Sequence, residues 1–390
     1  MGSSPSVSSS TLDEPGPGRA RSCRVLLVGG GTVGHVSPLL AVAEALREAA
    51  PDTAFLFLGG RRGLEADPVR AAGIPFHATA MPSLRDPDSR MSLVTRALLL
   101  PVAVVESLVQ IAKFHPTVCC TSGGLVSLPI VLAARTLRVP VYIWEGNAIP
   151  GRVNRLLAGW SQRVGATFEA SLRALPRSRT TIAGNPIRRS LLRWTRESGR
   201  RELGLPADAT VVFVTGGSQG SAAINHAVSG ALPRLLRRAT VIHHTGDAHL
   251  APIAAKRETL PGELRDRYHV YGFLREEMGA ALASADLVVG RASSSSIAEP
   301  LAFGVPLILV PFAASAEAHQ TANARDVVEK NAAILLPESQ LDADRLVAYV
   351  TGLLDDPARL ARMAKAARAA GRPDAATAIA NEVRALGGCA

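Results

Sequence analysis

The chain predicts an α/β protein built of two doubly wound parallel-sheet domains that face each other across a cleft. Three observations carry this reading. Two glycine-rich loops stand about half a chain apart, Val25-Leu-Leu-Val-Gly-Gly-Gly-Thr-Val-Gly-His35 and Val212-Phe-Val-Thr-Gly-Gly-Ser-Gln-Gly-Ser221. Each follows an apolar run that reads as a buried parallel strand, and each leads into a segment of helical period. The segments after the two loops then repeat in order, and a chain of 390 residues is long enough for two ordinary cores.

In the first half the runs 53–58, 74–78, 117–121 and 139–144 read as the second to fifth strands. In the second half 240–244, 269–273, 286–289 and 305–310 take the matching places, with helical stretches between them. Right-handed crossovers then set every connecting loop of interest at the carboxyl edge of its sheet, where ligands bind in such folds. Ser37-Pro38 fits a helix N-cap followed by proline at the first helical position, which places His35 just outside that helix. Ala183-Gly-Asn-Pro-Ile-Arg188 is turn-rich and marks a hinge. The expected organisation is a disordered leader over 1–20, a first domain over 21–186 and a second over 187–373.

Residues 1–20 are rich in Ser, Pro and Gly and lack the apolar stretch of a signal peptide. The four cysteines show no metal-ligand spacing, and a reducing cytosol is the simplest setting for them. The net charge of +10 is unevenly spread: residues 1–189 carry 21 Lys/Arg against 12 Asp/Glu, and residues 190–390 carry 22 against 21. The basic half also holds the apolar stretch 90–113. Its uncharged run 97–105 is too short to span a bilayer, which takes about 20 residues, and Pro101 is expected to kink or split it. Most of these side chains read as core. Part of the segment, ringed by Arg90, Arg96 and Lys113, suits an anionic membrane surface. Nucleic acid is excluded as a partner, because the basic residues are not interleaved with aromatics, which make up only 4% of the chain.

Chemistry concentrates at the predicted strand ends. Backbone amides at Ser218, Gln219 and Gly220, with the Ser218 hydroxyl, can hold a diphosphate at a helix start without a metal; the bland alternative is a tight turn with an N-cap serine. Glu299 can accept from both hydroxyls of a ribose, or merely complement a helix dipole. His319 and Gln320 follow a strand and suit sugar hydroxyls. Arg188 can grip phosphate oxygens from the hinge, or be a solvated arginine beside Arg189. Thr32, Gly34 and His35 lie at the mouth of the facing sheet, and histidine is the side chain best suited to act as a base near neutrality. Glu145 and Asn147 end the fifth strand.

Gly30-Gly-Thr-Val-Gly-His35, Gly184-Asn-Pro-Ile-Arg188, Gly216-Gly-Ser-Gln-Gly220, the 293–299 segment and His319-Gln-Thr-Ala-Asn-Ala324 come in one order from about residue 24 to the C-terminus. In that order they resemble the MurG family. The resemblance implies a GT-B fold and an inverting glycosyltransferase on the cytoplasmic face of the bacterial plasma membrane. Such an enzyme moves N-acetylglucosamine from UDP-N-acetylglucosamine to the 4-hydroxyl of the muramic acid sugar of lipid I, forming lipid II. It also implies uracil reading by the main chain near Phe273 and Leu274, a ribose role for Glu299, and return of a last helix, 374–386, to the first domain. His35 and Glu145 become the candidate catalytic groups. Thr32, Gly34, Asn147, Arg188, Ser218, Gln219, Gly220, Phe273, Leu274, Glu299, His319 and Gln320 become candidate donor-binding groups, with no metal and no cofactor expected. The chain has Val33 where the family usually has glycine, Trp144-Glu-Gly-Asn147 in place of His-Glu-Gln-Asn, and Ala292-Ser-Ser-Ser-Ser296 in place of a serine-glycine segment.

Two other readings share these features. A UDP-N-acetylglucosamine 2-epimerase, or a transferase with another lipid acceptor, has the same fold and donor, and a nucleotide-sugar-binding membrane adaptor keeps Ser218 and Glu299 but has no use for His35. Release of UDP that depends on lipid acceptor separates the transferase from the epimerase. A dehydrogenase is disfavoured because neither loop combines a spaced Gly-x-Gly-x-x-Gly with an acidic residue at the next strand end.

Overall fold

A computed structural model of the protein describes residues 22–30, 33–61, 65–81 and 93–389. The leader 1–20, Thr32 and Arg90 lie outside the described residues, as does the side chain of Arg96.

The strands form two parallel sheets. The first contains β1 (Arg24–Gly29), β2 (Ala54–Gly60), β3 (Phe76–Thr79), β4 (Val118–Gly123), β5 (Val141–Glu145), β6 (Arg163–Ala166) and β7 (Thr180–Ile182), in the order 3-2-1-4-5-6-7. The second contains β8 (Val211–Thr215), β9 (Thr240–His244), β10 (Tyr268–Tyr271), β11 (Leu287–Gly290), β12 (Leu307–Leu309) and β13 (Ala333–Leu335), in the order 10-9-8-11-12-13. Each sheet therefore winds one way from its first strand and then the other. The pairs β1/β4 and β8/β11 flank the two points of reversal, and there the carboxyl ends open a crevice.

Burial follows from strand geometry. Side chains alternate across a strand, and the central strands are covered on both faces. Val25 and Leu27 enter a core with the helices Val33–Ala49 and Ala375–Leu386, whereas Leu26 and Val28 face Ile130, Val131 and Leu157 on the other side. Val211 and Phe213 are divided in the same way from Val212 and Val214. Cys119 and Cys120 likewise fall in opposite cores.

Ile187, near the end of the turn-rich segment 183–188, and Leu191, Leu203 and Leu205 beyond it pack with the second sheet's core. The final helix Ala375–Leu386 leaves that body and lays Ile379, Ala380 and Val383 on the first.

Four local expectations need correction. The first helix begins at Val33 and contains Pro38, so His35 lies inside it. Proline there forfeits only its own bond to the carbonyl of Gly34, close to the helix end. Pro101 likewise lies within one continuous helix, Leu93–Phe114, on its exposed side. The short strands β6, β7 and β13 were not expected, because three or four residues carry too little pattern to read. Cys23 and Cys389 are joined in a disulfide with Cα atoms 5.3 Å apart, tying the approach to β1 to the chain's last turn; only Cys119 and Cys120 are free thiols.

Candidate active site

The second sheet presents a phosphate-type loop between β8 and the helix Ala222–Leu236. Ser221 caps that helix, its hydroxyl accepting the Ile224 N–H at 3.3 Å. Ser218 and Gln219 stand exposed at the loop's tip. Gly220 has φ of +77°, and a Cβ there would lie 1.8 Å from the Thr245 carbonyl oxygen, so no other residue fits without moving the backbone. Below the loop the Thr215 hydroxyl accepts the Gly217 N–H at 3.1 Å and meets His244 Nδ1 at 3.1 Å. Burial depresses the His244 pKa, which keeps that ring neutral.

Beside the loop, at the end of β11, buried Arg291 donates to the Ser221 hydroxyl at 2.7 Å and to Glu338 Oε1 at 2.5 Å. Next comes the helix Ser294–Phe303, capped by Ser293, whose hydroxyl accepts the Ser296 N–H at 3.3 Å. Asn185, in the turn-rich segment between the two sheets, also grips this helix start: its Oδ1 accepts from the Ser294 hydroxyl at 2.7 Å and from the Ser295 N–H at 3.2 Å. Glu299 lies one turn further on. Burial lifts its carboxyl from 4.5 to about 7, against the opposing pull of the Arg188 guanidinium. Arg188 itself is exposed. Phe273 is exposed just after β10 and Leu274 beside it is buried. His319 and Gln320 open the helix His319–Glu329 that follows β12.

On the facing sheet, His35 sits in the first turn of its helix, one residue after exposed Gly34. Its Nδ1 lies 3.1 Å from the Ser122 carbonyl, and the Ser122 hydroxyl donates to the His35 carbonyl at 2.8 Å. A carbonyl can only accept, so Nδ1 carries the proton and Nε2 is the basic nitrogen. Glu145 is 2% exposed, and its two oxygens accept from the Asn147 N–H and side-chain amide, the Gly151 N–H and the Asn154 amide. Burial raises its pKa while these donors oppose the shift. The geometry thus engages Glu145 in holding the loop 147–154, whereas the His35 ring is held through its protonated Nδ1.

Sequence reasoning passed over three features. A second glycine turn, Gly123 and Gly124, ends β4 with φ of +86° and +87° and leads into the helix Ser127–Thr136. A Cβ on Gly124 would come within 3.1 Å of the Gly30 carbonyl, so the two loops of this sheet touch. The string Thr121-Ser-Gly-Gly124 is a legible turn signal. Asn323, fully buried, joins the two bodies: its Oδ1 accepts the Ala148 N–H at 2.8 Å, and its amide donates to Asn147 Oδ1 at 3.2 Å and to the Ala292 carbonyl at 3.1 Å. Arg291 and Asn323 are single polar residues whose partners are tertiary, and no local pattern marks them.

Two opposed doubly wound sheets with glycine loops at both points of reversal define the GT-B fold. Residues 25–166 match the glycosyltransferase family 28 N-terminal domain and residues 211–379 its C-terminal domain. The UDP-N-acetylglucosamine--N-acetylmuramyl-(pentapeptide) pyrophosphoryl-undecaprenol N-acetylglucosamine transferase of Desulforudis audaxviator is 36% identical over 374 residues, covering 94% of this chain and 99% of its own. The protein of the same name from Anaeromyxobacter sp. is 39% identical over 367 residues, covering 92% of each. The crystal structure of Acinetobacter baumannii MurG superposes with a TM-score of 0.75 at 25% identity, covering 93% of this chain and 99% of that one. The chain belongs to the MurG family of glycosyltransferases.

Proposed function

We infer that this protein transfers N-acetylglucosamine from UDP-N-acetylglucosamine to lipid I with inversion, producing lipid II and UDP. The observation that carries this is the likeness to transferases of that name over nearly the whole chain, with the matching loops at both sheet reversals. In this reading residues 187–373 hold the donor and residues 21–186 meet the acceptor. The diphosphate lies on the amides of Ser218, Gln219 and Gly220, the main chain at Phe273 and Leu274 reads the uracil, and Glu299 takes the ribose hydroxyls. His319 and Gln320 face the transferred sugar, and Arg188 closes on the leaving phosphates. Across the cleft, His35 accepts the proton of the attacking hydroxyl. Gly34 and Asn147 line the same mouth, and Thr32, outside the described residues, stays a binding candidate by its place in the sequence. The decisive experiment supplies UDP-N-acetylglucosamine with lipid I or a short-chain analogue and identifies the product by mass and linkage.

Amides and Arg188 supply stabilising charge to the leaving diphosphate directly. Activity is therefore expected to persist in excess chelator, and a complete loss restored only by magnesium or manganese would overturn that assignment.

A ribose role for Glu299 has a pH signature. Two hydroxyl donors are best met by an ionised carboxylate, and Glu299 ionises only near pH 7. UDP affinity is expected to rise between pH 6 and about 8 and then level off. The same upward shift means that the ligand-free fold loses stability as pH climbs from 4.5 to about 7, since ionisation is disfavoured in the native state. Calorimetric titration with UDP in this range, on wild type and Glu299→Gln, checks the point: the variant should bind more weakly and without the pH dependence, and a flat wild-type profile would refute it.

We also place the membrane-facing surface on the first body, along the helix Leu93–Phe114. Ala103, Ser107 and Ile111 line its buried side, while Leu98, Val102, Val105 and Val109 are 71%, 49%, 59% and 43% exposed. Spacings of four, three and four residues put those four on a single outward stripe. Exposed Lys113 lies at its end. No helix among the described residues is long and apolar enough to cross a membrane, so attachment in this reading is peripheral.

A further inference from the structure

Between β12 and the helix His319–Glu329, residues 312–320 form a strap that reaches from the donor body to the facing one. Its base is pinned twice: Gln320 Oε1 accepts the Phe312 N–H at 2.9 Å, and Glu338 Oε2 accepts the Ala313 N–H at 2.9 Å. Its tip is Glu317. Both carboxylate oxygens there are met from the opposite body, by Arg152 Nε at 2.8 Å and by an Arg155 guanidinium nitrogen at 3.3 Å. The two arginines stand one turn apart on the helix Arg152–Ala158 that follows β5, so they present a single cationic fork.

The strap adopts an unfavourable backbone to reach that fork. Glu317 and Ala318 are consecutive left-handed residues, with φ of 51° and 52°, and neither is glycine. Both are conformations that a residue with a Cβ adopts only at a cost, and exposed ion pairs are individually weak, so the clasp holds the strap without locking it. Such a contact can open and close. Six residues past Glu317, in the helix His319–Glu329, buried Asn323 makes a second junction, to Asn147 and Ala148. The exposed clasp lies immediately before His319 and Gln320.

We propose that Glu317 is a positioning residue for the donor sugar: clasped by Arg152 and Arg155 across the cleft, it holds the strap that aims His319 and Gln320. The inference rests on the sugar-facing role of those two residues. When the clasp opens, the sugar side of the donor pocket loosens while the diphosphate loop at 216–220 and the helix of Glu299, both anchored elsewhere, keep their geometry. The clasp therefore acts on the sugar-bearing donor and much less on UDP.

The test is steady-state kinetics with UDP-N-acetylglucosamine varied at fixed acceptor, alongside calorimetry with UDP. Glu317→Arg is expected to raise KM for the donor about tenfold, the loss of two exposed pairs plus the repulsion that replaces them. Its UDP affinity should stay within about twofold of wild type. Adding Arg152→Glu and Arg155→Glu to that variant restores opposite charges and should recover most of the loss, and Glu317→Asp should lie between. Failure of the triple exchange to recover KM, or an unchanged KM in Glu317→Arg, overturns the proposal. Equal losses of UDP and donor affinity would assign Glu317 to folding of the donor body and overturn it as well. Gln320→Ala separates the two layers of the argument: if that variant also leaves KM unchanged, the sugar-site reading fails, whereas a raised KM there with an unaffected Glu317→Arg sinks the clasp alone.

Discussion

Replacing His35 with alanine is expected to lower turnover about 100-fold or more while UDP affinity stays near normal, as loss of a general base does. The acceptor hydroxyl is a poor nucleophile until its proton is taken, and the nitrogen that takes it must hold a lone pair. The contact of Nδ1 with the Ser122 carbonyl assigns the proton to that side of the ring and basicity to Nε2. The reciprocal bond from the Ser122 hydroxyl to the His35 carbonyl fixes the helix start against β4, so the ring is oriented from two directions. Because His35 stands on the sheet opposite the diphosphate loop, its removal should spare donor binding. Rate measurements at saturating substrates, with UDP titrations of the same preparations, check both halves of the statement. Glu145→Gln is the informative companion. Its carboxylate receives four donors, and an amide would turn N–H groups against some of them, so the expected damage is to the 147–154 loop and to stability. Unchanged turnover in His35→Ala together with abolished turnover in a folded Glu145→Gln protein would move the base to Glu145.

The outcome for His35 bears on how far a sequence can be read. Strands such as 25–28 and 211–214 were legible because they are buried on both faces and so run apolar without a break, and the glycine loops were legible because they end such runs. What a one-dimensional pattern cannot hold is the partner of a polar side chain. Glu145 reads as an available carboxylate at a strand end, and only the folded loop behind it reveals its four donors. Asn323 sits in a helix as one polar residue among several, and its value lies in Asn147, 176 residues earlier. Cys23 and Cys389 are separated by 366 residues and become neighbours only because the last helix returns to the first body. The prolines misled for a different reason. Pro38 and Pro101 are strong local breakers, yet each removes a single hydrogen bond near a helix end or on an exposed face, and tertiary packing of the remaining turns outweighs that loss.

Removing the apolar stripe is expected to release the protein from anionic vesicles. Leu98, Val102, Val105 and Val109 expose side chains that water solvates poorly, and burying each in the acyl boundary is worth roughly 1 kcal/mol at about 25 cal/mol per Å². Changing all four to serine should then weaken partitioning by on the order of 100-fold to 1000-fold, since the terms add along one face. Electrostatics contributes separately: each basic side chain near an anionic surface adds about 1 kcal/mol, and Lys113 at the stripe's end, with Arg90 and Arg96 before it in sequence, supplies that part. High salt screens the charges and leaves the apolar term. Wild type should therefore be partly released by salt, a variant with Arg90, Arg96 and Lys113 changed to glutamate should bind weakly and lose little more in salt, and the serine variant should bind weakly at every ionic strength. Co-sedimentation with vesicles containing acidic lipid measures all three, and UDP titration verifies that each variant retains a folded donor site. Wild-type-like sedimentation of the serine variant would mean that the stripe is covered by protein, and that the lipid substrate reaches His35 over another surface.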